Sequence, residues 1–130
     1  MLSHVVIGTN DTVEAKRFFD AIFGVLGHDC FLDDGQHLAY GKPDADQFWI
    51  MKPFDGGVAT PGNGTSITLL ATTRVQVRAF YEAALANGGA DEGAPGPRTY
   101  HPNFYGCYVR DPLGNKLSCA CHAPVEISGE

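Results

Sequence analysis

The chain has 130 residues, of which 44% are hydrophobic and 18% are charged, and its formal net charge at pH 7 is −6. This length fits one globular domain with a single core and leaves no room for a second. Its few cations form no cluster, which argues against nucleic acid as a partner, and no apolar run approaches the roughly 20 residues that span a bilayer.

The start of the chain indicates where the protein resides. Residues 1–9 lack the basic beginning and the long apolar stretch of a secretory signal, so we expect a cytoplasmic protein. Cys30, Cys107, Cys119 and Cys121 should then stay reduced, because cytoplasmic thiols are kept reduced and a core of this size needs no disulfide. We interpret them as small apolar residues of the interior.

The first predicted elements are a strand over residues 5–9 and a helix that follows it. Asn10 or Asp11 can cap the start of the helix, and Gly27 ends it. The apolar residues that recur in it at roughly helical spacing are Val13, Phe18, Ile22 and Val25.

Three further strands are predicted in this first unit, separated by turns at Gly35 and at residues 42–45. Glycine and proline then dominate residues 54–64, which we interpret as a flexible linker. Module one therefore spans about residues 1–54, the linker about 55–64, and module two about 65–123.

Module two repeats the pattern of module one. Residues 4–27 align with residues 66–89 without a gap, so a strand is predicted at residues 67–71, followed by a helix that Thr72 or Thr73 can cap. The predicted buried stripe of this helix is Val75, Val77, Phe80, Tyr81, Ala84 and Leu85.

The later halves of the two modules align with a larger shift, which places Pro43 on Pro112 and Trp49 on Ser118. The additional residues fall in or near residues 90–103, which are rich in glycine and proline. We predict that this stretch is a long loop that shapes or covers a site.

The order βαβββ repeated twice, with His4 in the opening strand and the closing run at residues 111–117, resembles the vicinal-oxygen-chelate superfamily of glyoxalases, bleomycin-resistance proteins and extradiol dioxygenases. The segment 101–122 is similar to a glyoxalase-like bacterial subgroup. The resemblance implies an α+β fold, in which two tandem βαβββ modules form a cupped mixed sheet with helices on its outer face and a ligand on its concave face.

The resemblance also implies a position for a metal. Enzymes of this superfamily hold one divalent ion with side chains from the first and last strand of each module, which correspond here to His4, Trp49, Ser66 and Ser118. Only His4 is a competent ligand, whereas a Zn, Ni, Mn or Fe site needs at least three such donors. We therefore expect no metal cofactor. If a metal is present, His4 is the one residue that we assign to it.

His4 has two interpretations. It is a histidine of the cavity wall, or it is a catalytic general base whose second ring nitrogen is held by Ser66 or Ser118. Replacing His4 by alanine without any effect on binding or turnover would remove the catalytic role.

The run 119–122 contains two cysteines and a histidine but does not predict a metal site. Alternation along a strand places Cys119 and Cys121 on one face and Ser118 and His122 on the other, so these side chains diverge.

An aromatic run lies beside the predicted loop. Its residues pack as an ordinary strand and loop, or they close one end of the cup, where Tyr100, His101 or Tyr105 would touch the ligand. Trp49 offers a flat stacking surface. A cup lined by Trp, Tyr, Ser and His suits an uncharged or weakly polar aromatic or carbonyl compound.

Three functions remain open. The first is a metal-independent protein that binds a small organic ligand through Trp49, Ser66, Ser118 and the aromatic run, either to sequester it or to transform it with His4. The second is a glyoxalase-like lyase or dioxygenase with unusual metal ligands, and the third is sequestration of a cationic drug. We expect a homodimer, because exposed sheet edges favour pairing of chains, and we expect no membrane partner.

Overall fold

The computed structural model covers residues 1–130 and contains eight strands and three helices. The strands are β1 (His4–Gly8), β2 (Cys30–Asp33), β3 (His37–Gly41), β4 (Gln47–Met51), β5 (Ser66–Leu70), β6 (Ala90–Pro97), β7 (Tyr105–Arg110) and β8 (Lys116–Cys121). The helices are α1 (Thr12–Leu26), α2 (Arg74–Ala86) and α3 (Val125–Ser128). None of the helices is both long and apolar enough to cross a membrane.

The strands form two mixed sheets of the same topology. Sheet one has the order β1-β4-β3-β2, and sheet two has the order β5-β8-β7-β6. In each sheet the first strand of the module runs parallel to the last, and all other pairs are antiparallel. The prediction of an α+β fold with two tandem βαβββ modules is confirmed.

The strand register matches the sequence repeat residue for residue. His4 pairs with Gln47 in sheet one, and Ser66 pairs with Lys116 in sheet two. Trp49 pairs with Ala39 and Ser118 pairs with Tyr108. Ser118 thus occupies in module two the place of Trp49 in module one, as the alignment predicts.

The structure shows which of the two candidate residues caps the N-terminus of each long helix. Asp11, not Asn10, caps α1 and accepts hydrogen bonds from the backbone N–H groups of Val13 and Glu14. Thr73, not Thr72, caps α2. Gly27 ends α1 with φ of 81°, a left-handed conformation that favours glycine.

The two helices share one hydrophobic core. Phe18, Phe19 and Ile22 of α1 and Phe80 of α2 are fully buried in it. Arg17 also donates to the carbonyl oxygen of Ala86 at 3.1 Å, which ties α1 to the end of α2. Each sheet therefore has one face covered by a helix.

Parts of the predicted helical stripes were wrong. Val13 is 80% exposed, and Val75 and Leu85 are also exposed. Val13 lies five residues before Phe18, about 140° around the helix, and Val75 lies two residues before buried Val77, about 160° away. These three side chains are apolar but lie on the solvent-facing side of their helices.

Two segments are more ordered than the sequence suggests. The predicted loop over residues 90–103 begins with β6, which pairs with β7 through two register shifts despite its glycine and proline content. In the linker, Ala59 is buried, and its backbone exchanges two hydrogen bonds with the side chain of Asn10, at 2.7 and 3.1 Å. The first segment is ordered by backbone pairing and the second by the side-chain amide of Asn10. Neither interaction produces a hydrophobic pattern in the sequence.

Candidate functional site

Each sheet has a second face that no helix covers, and we call it the open face. Alternation along the strands assigns residues to it. In β1, Val5 and Ile7 pack toward the core, so His4 and Val6 lie on the open face. The same alternation brings Trp49 of β4 and Ser118 of β8 to the open faces of sheets one and two.

The open face of sheet one is centred on Trp49. The rings of Phe31, His4 and His37 surround it, with centroids 6.2, 6.4 and 6.5 Å from the indole. The indole N–H donates to the side-chain oxygen of Gln47 at 2.8 Å. This arrangement leaves a largely apolar surface with polar groups at its edge.

His4 is exposed, and its ring has a different partner from the two that we predicted. Its Nδ1 lies 2.9 Å from the hydroxyl oxygen of Ser3, whereas Ser118 hydrogen bonds to Thr68. Neither Ser66 nor Ser118 hydrogen bonds to the ring, so the contact that the catalytic interpretation of His4 requires is absent. No carboxylate group hydrogen bonds to the His4 ring, although such a partner is usual for a histidine that acts as a general base.

The open face of sheet two has three rows of side chains, as the register shows. The first row contains Ser66, Lys116 and Arg110. The second contains Thr68, Ser118 and Tyr108, and the third contains Leu70, Ala120 and Gly106. Ser118 is 3% exposed, whereas Ser66, Thr68 and Leu70 on the edge strand are exposed.

Cations gather around Tyr108. The guanidinium of Arg98 and the ammonium of Lys116 lie 5.7 and 5.2 Å from the centroid of its ring. Its hydroxyl oxygen is 3.4 Å from that of Tyr100. The hydrogen bond with Tyr100, together with partial burial, raises the pKa of Tyr108 and keeps the phenol neutral.

Tyr100 and His101 lie in the loop that follows β6. Tyr100 is 70% exposed and reaches the open face through Tyr108. His101 Nε2 is 2.8 Å from Nδ1 of His122, and His101 Nδ1 accepts a hydrogen bond from the backbone N–H of Asn103. The paired imidazoles fasten this loop to the end of β8.

Tyr105 lies on the opposite side of sheet two from the open face. It is 8% exposed within the core, its hydroxyl accepts a hydrogen bond from Arg78 at 3.2 Å, and Arg74 lies 4.9 Å from the centroid of its ring. The predicted place of Tyr105 in the ligand pocket is therefore not supported. Tyr105 starts β7, and alternation with Cys107 and Val109 turns it inward.

The cysteines lie where alternation predicts. All four are free, and Cys107, Cys119 and Cys121 are fully buried on the helix side. Burial raises the pKa of Cys107 to about 11. Their interpretation as small apolar residues is confirmed for these three, whereas Cys30 is only partly buried.

The residues at the four metal positions do not fit a divalent ion. His4 supplies one nitrogen, Ser66 and Ser118 supply neutral hydroxyls, and the indole of Trp49 has no lone pair to donate. Elsewhere in the chain, no three His, Cys, Asp or Glu side chains gather in a metal-binding cluster.

A cavity lies between the two modules. It has a volume of about 690 Å³, and both modules contribute to its wall. His4 and Gln47 approach from module one, and Thr68 and Leu70 approach from β5. His4 thus meets module two at this groove, whereas Trp49 and Ser118 lie outside it on their open faces.

Comparison with known proteins gives the family. The model of the Glyoxalase/Bleomycin resistance protein/Dioxygenase superfamily matches residues 1–118. The chain belongs to this superfamily. None of the curated proteins compared with the chain matches it.

Solved structures of this superfamily have the same fold. A glyoxalase/bleomycin resistance protein from Albidiferax ferrireducens is 38% identical, with a TM-score of 0.85 over 95% of this chain and 99% of that one. A glyoxalase-related enzyme from Fulvimarina pelagi is 19% identical, with a TM-score of 0.73 over 93% and 87%. Lactoylglutathione lyase from Agrobacterium tumefaciens is 18% identical, with a TM-score of 0.64 over 92% of each chain. At the lower identities, the likeness concerns the fold alone.

Sequence reasoning missed several residues of the open face of sheet two, namely Lys116, Tyr108, Thr68 and Arg98. The signal for the first two was present. Lys116 lies two residues before Ser118 on the same strand, and Tyr108 lies on the neighbouring strand. The approach of Arg98 depends on the irregular course of β6, which the sequence does not encode in a readable pattern.

Proposed function

We propose that this member of the superfamily binds a small organic molecule on its open faces and in the adjoining groove without a metal ion. The observation that carries the proposal is the loss of metal donors at the four metal positions. Trp49, Ser66 and Ser118 occupy three of these positions and cannot coordinate a metal, whereas the surfaces around them could contact an organic molecule. An aromatic platform, hydroxyl groups and a cavity of about 690 Å³ match the usual composition of a small-molecule site.

Trp49 provides a direct assay, because it is the only tryptophan in the chain. We expect small aromatic probes such as acetophenone and 3-phenylpropanamide to change its fluorescence saturably, since they would stack on the indole. The change should be the same before and after treatment with EDTA. The absence of a saturable change for every probe up to millimolar concentration, or its loss on chelation, would contradict the proposal.

The contribution of His4 is tested by the variant His4→Ala in the same titration. His4 lies 6.4 Å from the indole of Trp49 and at the wall of the groove. If His4 takes part in binding, the variant should bind the probes more weakly. An unchanged affinity would show that His4 only lines the wall of the groove. Either transformation or simple sequestration of the ligand is compatible with this site.

The location of the charges disfavours a cationic drug as the ligand. The chain is acidic as a whole, with a formal net charge of −6, yet Lys116, Arg98 and Arg110 are on the open face of sheet two. A cation approaching that face would meet like charge.

Assembly and location belong to the same proposal. The strands β1, β2, β5 and β6 are sheet edges, and Phe54 and Val58 are exposed apolar side chains. Pairing of two chains would cover such surfaces, so we expect a homodimer. The four cysteines are free, which suits a reducing compartment, and we propose the cytoplasm as its location. A molar mass of one chain, measured by light scattering at micromolar concentration, would contradict the dimer.

A further inference from the structure

The open face of sheet two carries cations without matching carboxylates. Arg110 is paired with Glu92, at 2.9 Å. Lys116 forms no salt bridge, and Arg98 donates only to the backbone carbonyl oxygens of residues 94, 96 and 97. Three cations against one carboxylate leave this face positive on a chain whose net charge is negative.

Polarity changes in steps along this face. The row of Ser66, Lys116 and Arg110 is cationic, the next row carries hydroxyl groups, and the third row is apolar. Successive rows are two residues apart along each strand, which is about 7 Å. The cationic and apolar rows are therefore about 14 Å apart along the strands. The ammonium of Lys116 lies 5.2 Å from the centroid of the Tyr108 ring in the second row. Because this brings the charge closer to the third row, a ligand about 10 Å long would meet the ammonium at one end and the exposed side chain of Leu70 at the other.

Within the hydroxyl row, Thr68 and Ser118 are hydrogen-bonded to each other. Each hydroxyl group retains capacity to accept or donate a further hydrogen bond. Ser66 is the register partner of Lys116 and lies beside it on the edge strand. An ammonium group with an adjacent hydroxyl is a suitable set of donors for a carboxylate, which accepts charge-assisted hydrogen bonds.

Sheet one differs in this respect. None of the residues that β1, β3 and β4 place on its open face is Lys, Arg, Asp or Glu. Its histidine at the far side, His37, is paired with Asp34. The positive charge is therefore a property of module two and not of the open faces in general.

We propose that the open face of sheet two recognises the carboxylate of a small organic acid through Lys116 and Ser66, with the apolar body of the acid extending toward the exposed side chain of Leu70. This inference rests on the proposed binding function and names its ligand class. The exposed hydroxyl group of Thr68, between the two ends, would bond a carbonyl or hydroxyl oxygen near the carboxylate.

The test compares two probes that differ in charge, 3-phenylpropionate and 3-phenylpropanamide, by calorimetric titration of the full chain. The acid should bind about tenfold more tightly than the amide, since one charge-assisted hydrogen bond distinguishes them. Raising the salt concentration should weaken binding of the acid and leave the amide unaffected, because only the acid depends on ionic attraction.

Variants assign the effect to Lys116. Lys116→Gln should weaken the acid about tenfold and leave the amide unchanged, and Lys116→Arg should retain the preference because it keeps the charge. Lys42→Gln removes an exposed lysine from the turn of module one and serves as the matched control, with no expected effect.

The outcomes separate the two proposals. Amide binding equal to or tighter than acid binding overturns the carboxylate site and leaves the proposed binding function intact. An equal loss of acid affinity in Lys116→Gln and Lys42→Gln also overturns it, since the effect would then be one of net charge. If neither probe binds, both the carboxylate site and the binding of this ligand class are rejected.

Discussion

Asp111 organises the turn between β7 and β8, and its replacement by alanine should destabilise the protein strongly. Its Oδ1 accepts hydrogen bonds from the backbone N–H groups of Leu113, Gly114 and Asn115, at 3.1, 2.9 and 2.8 Å. Its Oδ2 accepts one from the side-chain amide of Asn115 at 2.9 Å. Asn115 in turn donates to the carbonyl oxygen of Gly8, so the turn also connects the two modules.

The magnitude follows from these bonds. A hydrogen bond to a charged group contributes about 1.5–3 kcal/mol, but burial of the carboxyl offsets part of this gain and raises the pKa of Asp111 above its usual value. Contributions within one turn are also not additive. We therefore expect Asp111→Ala to lower the free energy of unfolding by about 3 kcal/mol, which corresponds to a fall in Tm of about 11 °C for a chain of this length.

Urea denaturation followed by Trp49 fluorescence and circular dichroism measures the change. Asp44→Ala is the control, because Asp44 is exposed in the related turn of module one, and its loss should stay within about 0.5 kcal/mol. Since the pKa of Asp111 is raised in the folded chain, protonation favours folding, and the loss in Asp111→Ala should grow rather than shrink on acidification. Equal losses in the two variants would refute the reasoning.

Three further outcomes are expected. Tyr40→Phe removes a partly buried hydrogen bond to Asp20 of 2.7 Å and should lower the free energy of unfolding by about 1 kcal/mol at pH 7. Because burial raises the pKa of Tyr40, the unfolded chain ionises first, and the difference between the two proteins should narrow above pH 10 in urea titrations. Tyr105→Phe should lower Tm without changing calorimetric affinity for 3-phenylpropionate, and an affinity loss would restore Tyr105 to the site. Ellman's reagent at pH 8 should modify partly exposed Cys30 first, because burial raises the pKa of Cys107 to about 11; rapid reaction of all the thiols would contradict the buried positions.

The repeat made the fold predictable. Alignment of the modules assigned Ser118 to the position in module two that Trp49 has in module one. Strand alternation assigned Ser118 and Cys119 to different faces of the sheet. The strand register and the burial confirm both assignments. These rules hold because the strand period of two allows no intermediate orientation. Helical patterns were less decisive, since Val13 is apolar and still exposed.

The site was predictable only in part. The alternation that places Ser118 on the open face also places Lys116 there. Tyr105 belongs to an aromatic run in the sequence, but this grouping does not indicate that its side chain points into the core. The partner of His4 could not be predicted, because it depends on the conformation of Ser3 before the first strand. The gathering of Arg98 at Tyr108 likewise requires the bulged course of β6.

The most direct test of the central claim is the metal content of the purified protein, measured by elemental analysis after dialysis without a chelator. His4 offers one strong donor where Trp49, Ser66 and Ser118 offer none, so the account predicts Zn, Ni, Mn and Fe well below one equivalent per chain. One equivalent of any of these metals, lost from a His4→Ala variant, would contradict it.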